Sequence, residues 1–174
     1  MKKVKVILIL TALTLFLTAF TTNTMVTEKK KKITTSEQMA ERIVSALQHS
    51  SSKEYASMFP SIEDFNDMMK ESSEIYGTYL ADAQREFAIN YEHKLIPTVE
   101  HAFDLVIEEG RTKGIDWNNI RYVSIEQNEQ PKNRFSPVPV TIVFSSNGVE
   151  HRILIERALV IHGQWKVSQF IKLA

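Results

Sequence analysis

VPVTIVFSSNGVEHRILIERALVIHGQWKV, residues 138–167, is the stretch that decides the fold. Valine, isoleucine and phenylalanine occupy alternate positions over residues 138–144, which predicts a half-buried strand. Pro139 suits an edge strand or a strand start, because proline cannot donate to the hydrogen-bond ladder. Asn147-Gly148 is the strongest hairpin signal in the chain, since both residues tolerate a positive φ. The stretch therefore predicts antiparallel strands joined by tight turns.

Strands on either side extend this pattern to a meander of four strands. A long apolar segment follows the Asn147-Gly148 turn, and His162-Gly163 then reverses the chain. Upstream, a polar loop over residues 128–137 separates an earlier strand from the hairpin. The predicted strands cover residues 121–127, 138–144, 149–161 and 165–171.

The first half of the chain has helical rather than strand periodicity. Thr34 and Glu37 form a capping box for the first helix, and Ser61 caps the third helix with Asp64 in its first turn. Pro97 separates the last two helices. The predicted helices cover residues 34–49, 53–58, 61–76, 79–96 and 98–110, with a break at Gly77 and a stop at Gly110.

Helices followed by an antiparallel meander indicate an α+β domain, with N-terminal helices packed on one face of a curved sheet of about four strands. The periodicity of the long strand does not settle which face of the sheet is the core. One face would carry Ile153, Ile155, Leu159 and Ile161, and the other Leu154, Ala158 and Val160.

Composition is that of one domain of ordinary size. The 174 residues include no cysteine, 43% apolar and 24% charged residues, which excludes a disulfide framework, a thiolate metal site and a disordered tail. The chain has 21 basic and 21 acidic residues, but seven of the basic and one of the acidic residues precede Ile33. The remainder therefore has 14 basic and 20 acidic residues, a net charge of −6 that argues against nucleic-acid binding.

The N-terminus has the pattern of an export signal. Three lysines precede a 15-residue apolar run at residues 6–20, which is shorter than the roughly 20 residues that span a bilayer. We expect a signal peptide at residues 1–22, with an uncleaved N-terminal anchor as the alternative. A lysine-rich linker at 23–33 and a single domain at 34–174 follow. Both readings export the domain, to the periplasm or the extracellular space, and membrane contact is expected only through an uncleaved N-terminal segment.

The C-terminal ending carries a resemblance to a known superfamily. The long strand, the His162-Gly163 turn and the tripeptide Trp165-Lys166-Val167 resemble the n-G-x-W-K-V ending of the cystatin-like, nuclear-transport-factor-two-like superfamily. The segments YASMFPSIEDF at 55–65 and GIDW at 114–117 are similar to small exported bacterial proteins of unknown function.

This resemblance implies a cystatin-like cone, in which helices pack into the concavity of a curved antiparallel sheet. The superfamily includes isomerases, dehydratases, dimerising modules and binding modules without activity, so the fold does not decide the function. Its enzymes resemble one another in a pocket Asp–His or Tyr–Asp pair. No such pair can be placed on the motifs of this sequence, and no catalytic residue is predicted.

Four residues of the last two strands are the candidate ligand-binding site: His151, Arg157, Trp165 and Gln169. His151 and Arg157 share the parity of Ile153, and Gln169 shares that of Trp165. Polar groups on an apolar face must be hydrogen-bonded or hydrated, and in a cone-shaped fold they would line a pocket. Three alternatives stay open: an exposed His151 near the hairpin end, a bulge that turns Arg157 outward, and an ion pair of Arg157 with a helix carboxylate.

No motif predicts a metal or a cofactor. His101, Asp104 and Glu108 share one helix face and could hold a divalent cation in principle. A solvated polar face explains them equally, and no H-E-x-x-H motif occurs. The methionines of the second and third helices could form an adaptable binding groove, with core packing as the alternative.

Three functions remain compatible with the sequence. The first is a non-catalytic exported module that binds a small ligand or a protein partner. The second is a small hydrolase or isomerase that uses a pocket pair such as His151 with a helix carboxylate. The third is a structural surface protein that forms a homodimer through an apolar face of the sheet.

Overall fold

The computed structural model describes residues 32–72, 74, 77–132 and 136–174, in a compact unit that begins at Lys32. The predicted signal peptide, most of the predicted linker, Tyr76 and part of the loop at 128–137 lie outside the described residues. Among the described residues, no helix combines the length and the apolar character needed to cross a membrane. The helices are α1 (Ser36–Gln48), α2 (Ser52–Ala56), α3 (Ile62–Glu71), α4 (Leu80–Asn90) and α5 (Ile96–Thr112).

The strands form one antiparallel sheet in the order β1-β2-β3-β4, with the short β5 also paired to β3. The sheet curls into a half-barrel against which the helices pack, which confirms the predicted α+β class and is consistent with a cone-like fold. The strands are β1 (Ile120–Glu126), β2 (Val138–Ser146), β3 (Val149–Ile161), β4 (Gln164–Val167) and β5 (Lys172–Leu173).

The helix starts follow local capping chemistry. Ser61 and Asp64 form the predicted cap of α3 as a full capping box, because each side chain accepts the other residue's backbone N–H. The cap of α1 is one residue later than predicted. Thr35 accepts the Gln38 N–H, and the Gln38 side chain reaches back to the Thr34 N–H at 2.8 Å.

Pro97 does not separate two helices, contrary to the prediction. A single π turn, Tyr91–Leu95, joins α4 to α5, and the Ile96 N–H donates to the Tyr91 carbonyl five residues earlier. Proline lacks an N–H and is tolerated in the first turn of a helix, which is where α5 places it. One inserted residue therefore lets the helical path continue past the proline.

Gly110 does not end α5 either. The helix runs to Thr112, and Gly114 ends it with a φ of +80° in a Schellman motif, in which the Ile115 N–H donates to the Gly110 carbonyl at 2.9 Å. Gly110 has a different role. The indole of Trp117 packs against its bare Cα, and the indole N–H donates to the Ile107 carbonyl at 2.8 Å.

The two hairpin turns are where the sequence predicted them, at Asn147-Gly148 and His162-Gly163, and both residues of each turn have a positive φ. Two bulges interrupt the regular pairing, and the one in β3 is the alternative that the sequence leaves open at Arg157. One leaves Val123 unpaired in β1, and the other adds a residue to β3 between Ile155 and Ala158. The second bulge switches the parity of β3, so Leu159 and Ile161 do not share the face of Ile153, as predicted from simple alternation.

The predicted last strand is interrupted. Residues 168–171 separate β4 from β5, and the buried hydroxyl of Tyr55 in α2 bridges this interruption. It donates to the Gln169 carbonyl and accepts the Ile171 N–H, both at 3.2 Å. The outer edge of β4 is also covered, because the Trp165 and Val167 N–H groups donate to the carbonyls of Ile33 and Met58.

The inner face of the sheet is filled by α1, α2 and α5. Side chains from these helices and from β1 to β4 form one buried cluster. Its largest fully buried members are Tyr55, Phe103, Phe144, Met39, Ile43, Leu47, Met58, Ile142, Ile153, Ile155 and Val99. The concavity that would hold a ligand in a cone-shaped fold is therefore occupied by the protein's own side chains.

The outer face of β3 and β4 is reached by α3. Lys166 contacts Asp64 at 3.4 Å, and His162 contacts Asp67 at 3.1 Å. Leu159 is buried on this face, where it pairs with Lys166 across the strands. The helices α3 and α4 contact each other through Phe65 and Phe87, whose ring centroids are 4.3 Å apart. Met58 is a core residue, whereas Met68 and Met69 of α3 are half-buried.

Candidate functional site

A polar groove of about 350 Å³ opens beside the β2–β3 hairpin. The groove lies where the 3₁₀ turn Trp117–Asn119 enters β1 and where β2 ends. Its lining residues come from the 3₁₀ turn, β1, β2 and the β2–β3 turn: Asn119, Arg121, Ser145, Asn147 and Gly148. This volume is at the lower end of the range for small-molecule sites.

Two local features build the groove. The Asn147-Gly148 turn, with φ values of +51° and +80°, sets the register of β2 and β3, which places Ser145 opposite Glu150, and the pairing of β2 with β1 places Ser145 opposite Arg121. Asp116 caps the 3₁₀ turn and accepts a hydrogen bond from the side-chain amide of Asn119, which fixes one wall of the groove. Both features are short-range, so this part of the surface is held by local geometry.

Arg121 and Ser145 lie on the outer face of the sheet. Their neighbours Ile120 and Phe144 belong to the core cluster, and successive side chains of a strand point to opposite faces. Glu150 pairs with Ser145 from β3, so the row across the three strands reads Arg121, Ser145, Glu150. Arg152 of β3 and Glu126 of β1 form an ion pair across the same three strands, but no ion pair joins Arg121 to Glu150 among the described residues.

Several donors in the groove have no partner. Within the part of the chain that the structure describes, neither a hydrogen bond nor an ion pair engages the Arg121 guanidinium, the Ser145 hydroxyl, or the backbone amides of Asn147 and Gly148. Two other cations of this face are paired: Arg152 with Glu126 and Lys172 with Glu156, each at 2.7 Å.

The predicted site residues are at other places in the fold. His151 is half-buried and stacks on Phe144, with ring centroids 5.4 Å apart, and Phe144 in turn stacks on Trp117. Trp165 is 7% exposed and is part of the core cluster. These two rings therefore pack against the interior.

Arg157 and Gln169 lie near the bulge of β3. The bulge leaves Arg157 exposed, which is one of the alternatives that the sequence left open, and the Arg157 carbonyl accepts the Ser168 N–H. Gln169 donates to Glu156 at 2.6 Å. A hydrogen bond from Lys172, together with its positive charge, lowers the pKa of Glu156.

The four residues do not form one site. His151 and Arg157 are six residues apart along β3, and a strand rises about 3.3 Å per residue, so roughly 20 Å separates them. A small ligand cannot contact both. His101, Asp104 and Glu108 are exposed on α5, and among the described residues no group of three His, Asp or Glu side chains is arranged to hold a metal ion.

No sequence pattern predicts the contact between His162 and Asp67. Its atoms are 3.1 Å apart, yet the residues are 95 positions apart in the chain, and both side chains are partly exposed. The pair joins the β3–β4 turn to α3. Only the long-range packing of α3 on the outer face brings these two residues together, so no local pattern could have shown it.

Comparison with known proteins gives no identification. No family model, no curated protein and no solved structure matches the chain. The chemistry of the groove must therefore be inferred from its own residues.

Proposed function

We propose that the protein is an exported, non-catalytic binding module that holds a small ligand in the groove beside the β2–β3 hairpin. The observation that carries this proposal is the filled interior. Tyr55, Phe103 and Phe144 close the concavity between helices and sheet, with 2% exposure or less. Because these inner side chains are closed to solvent, the groove at Arg121, a concave surface with unpaired polar groups, is the better candidate site among the described residues.

The geometry supports this function better than the pocket-enzyme alternative. An acid–base pair needs hydrogen-bond contact between its members. In the described part of the chain, His151 contacts an aromatic ring and is hydrogen-bonded to no carboxylate. The pair of His162 and Asp67 is at the surface and joins two secondary-structure elements.

The outer face of the sheet also disfavours dimerisation through an apolar patch. The ion pairs of Arg152 with Glu126 and of Lys172 with Glu156 cross this face. Such a charged surface is unlike the apolar core of a stable homodimer interface. The curled sheet and its inner helices support the proposed relation to the cystatin-like superfamily, which includes binding modules without activity.

One experiment tests the binding function. The full chain is screened against a fragment library by ligand-observed NMR, and the hits are located by crystallography. We expect hits in the groove at Asn119 and Gly148. Hits confined to the interior around Trp165 would contradict the proposal. The same preparation is assayed with a broad panel of hydrolase and isomerase substrates, and turnover that disappears in His151→Ala would establish an enzyme instead.

Export is tested separately. A full-length chain with a C-terminal tag is expressed in its source cells, which are then fractionated. We expect the tag outside the cytoplasm, because the apolar run at residues 6–20 follows three lysines. Retention of the tag in the cytoplasm would contradict the proposed export.

A further inference from the structure

The groove beside the β2–β3 hairpin is rich in hydrogen-bond donors. The guanidinium of Arg121 has five N–H donors and no acceptor, and the hydroxyl of Ser145 adds another donor. The turn contributes two backbone N–H groups, from Asn147 and Gly148. All of these groups are without a partner within the described residues.

Neither of the two carboxylates near the groove, Asp116 and Glu150, is among the residues that line it. The Asp116 carboxylate accepts from the Asn118 N–H and the Asn119 side chain, so it is held within the 3₁₀ turn. Glu150 lies one strand beyond Ser145. Among the lining residues, only Arg121 carries a formal charge. Its exposed guanidinium is available to bind a ligand.

We propose that the groove binds an oxyanion, a phosphate or a carboxylate group of a small molecule, with Arg121 as its counter-ion. This inference rests on the proposed binding function and names the chemical class of its ligand. Guanidinium groups bind both kinds of oxyanion in a two-pronged geometry, and backbone N–H groups at a turn add donors at fixed positions. Ser145, directly across the strands from Arg121, donates a further hydrogen bond to the same oxyanion.

The net charge of the domain opposes anion binding. From Ile33 onward the chain has 14 basic and 20 acidic residues, so its overall field repels anions. An anion that binds must therefore be held by short-range contacts in the groove.

Calorimetric titration of the full chain tests the proposal, with inorganic phosphate and succinate as the two anions and ethylene glycol as a neutral control. Two variants are compared, Arg121→Gln and Arg157→Gln. Arg157 is a matched control, because it is also exposed, on the same sheet and without an ion-pair partner among the described residues. Both variants remove one positive charge, so a general charge effect would appear in both.

We expect at least one of the two anions to bind, and the stronger binder identifies phosphate or carboxylate as the natural group. Arg121→Gln should weaken binding about tenfold or more, the loss of one charge-assisted contact, whereas Arg157→Gln should change it less than about twofold. Ser145→Ala should give a smaller loss. Circular dichroism checks that each variant remains folded.

Three results would overturn the proposal. Equal loss in the two arginine variants would show a general charge effect rather than a site. Groove-bound neutral fragments without any anion binding would refute the oxyanion class and leave the proposed binding function in place. The absence of any bound fragment or anion in the groove would refute both.

Discussion

Replacing Gly110 with alanine changes the stability of the protein in two opposite ways, through helix propensity and through packing. In the interior of a helix, alanine is more favourable than glycine by about 1 kcal/mol. At Gly110, however, an added Cβ would overlap Cζ2 of Trp117 and lie 2.6 Å from its Cε2. Real Cβ contacts essentially never come closer than 3.0 Å. The indole would have to move, and it is held on its other side by Phe144 at a centroid distance of 5.7 Å.

Moving the indole has two costs. Overpacking of a closed core costs about 1–3 kcal/mol. Displacement also breaks the 2.8 Å hydrogen bond from the Trp117 indole to the Ile107 carbonyl, and leaving a buried donor unpaired costs about 1–3 kcal/mol. Against the gain of about 1 kcal/mol from propensity, we expect Gly110→Ala to lower the free energy of unfolding by about 2 kcal/mol.

Urea denaturation of the full chain, followed by far-ultraviolet circular dichroism, measures this change. The unfolding midpoint should fall by about 1 M urea. The double mutant with Trp117→Phe provides the control, because the smaller ring leaves room for the Cβ. In that background the cost of Gly110→Ala should largely disappear. A neutral or stabilising effect of Gly110→Ala in the wild-type chain would refute the packing described for Trp117.

Two further substitutions test the contacts that hold the fold. Tyr55→Phe should destabilise the protein by about 1–3 kcal/mol, because the Gln169 carbonyl and the buried Ile171 N–H both lose their partner. Tyr91→Phe is its control and should cost less in thermal denaturation, since that half-buried hydroxyl makes one hydrogen bond, to the Pro60 carbonyl; equal costs would contradict this. For Asp64, burial raises the pKa, but hydrogen bonds from Ser61 and the charge of Lys166 outweigh burial and hold the pKa below its usual 3.8. The stability from Asp64 is therefore present above pH 3.8 and lost as pH falls below it, so Asp64→Asn should cost about 1 kcal/mol at pH 7 and less at pH 3. A cost that is independent of pH in urea titrations would contradict this.

Burial also raises the pKa of Tyr55, whose unfolded value is near 10.0. A raised pKa means that the folded state keeps the phenolic proton while the unfolded state loses it above pH 10. The stability that Tyr55 contributes should therefore be complete below pH 10 and fall at higher pH. Tyr55→Phe should show a shallower loss of stability above pH 10 than the wild-type chain, and an identical slope would contradict this.

Features that depend on neighbouring residues were predictable from the sequence. The Asn147-Gly148 turn and the Ser61–Asp64 capping box both follow from contacts over a few positions. The α+β class follows from the change of hydrophobic period between the two halves of the chain. These signals depend on the spacing of neighbouring residues, so they can be recognised in a single sequence.

Features that depend on distant residues were not predictable in this way. The bulge in β3 follows from its pairing with β2, and this pairing turned Arg157 away from the predicted site. Glycine is typical of a helix end, so the sequence predicted that the helix ends at Gly110. Only the position of Trp117 shows that Gly110 is a packing contact. The groove at Arg121 combines the predicted Asn147-Gly148 turn with Asn119 and Arg121, which only the pairing of β1 with β2 brings beside it.

The position of bound anion tests the central claim most directly. In a ¹H–¹⁵N correlation spectrum of the full chain, the Gly148 amide reports on the groove and the Trp165 indole N–H reports on the interior. Addition of inorganic phosphate or succinate should shift the Gly148 signal in a saturable manner and leave the Trp165 signal in place. A saturable shift of the Trp165 indole, with the Gly148 amide unchanged, would contradict an interior closed to ligands and a binding site at the hairpin.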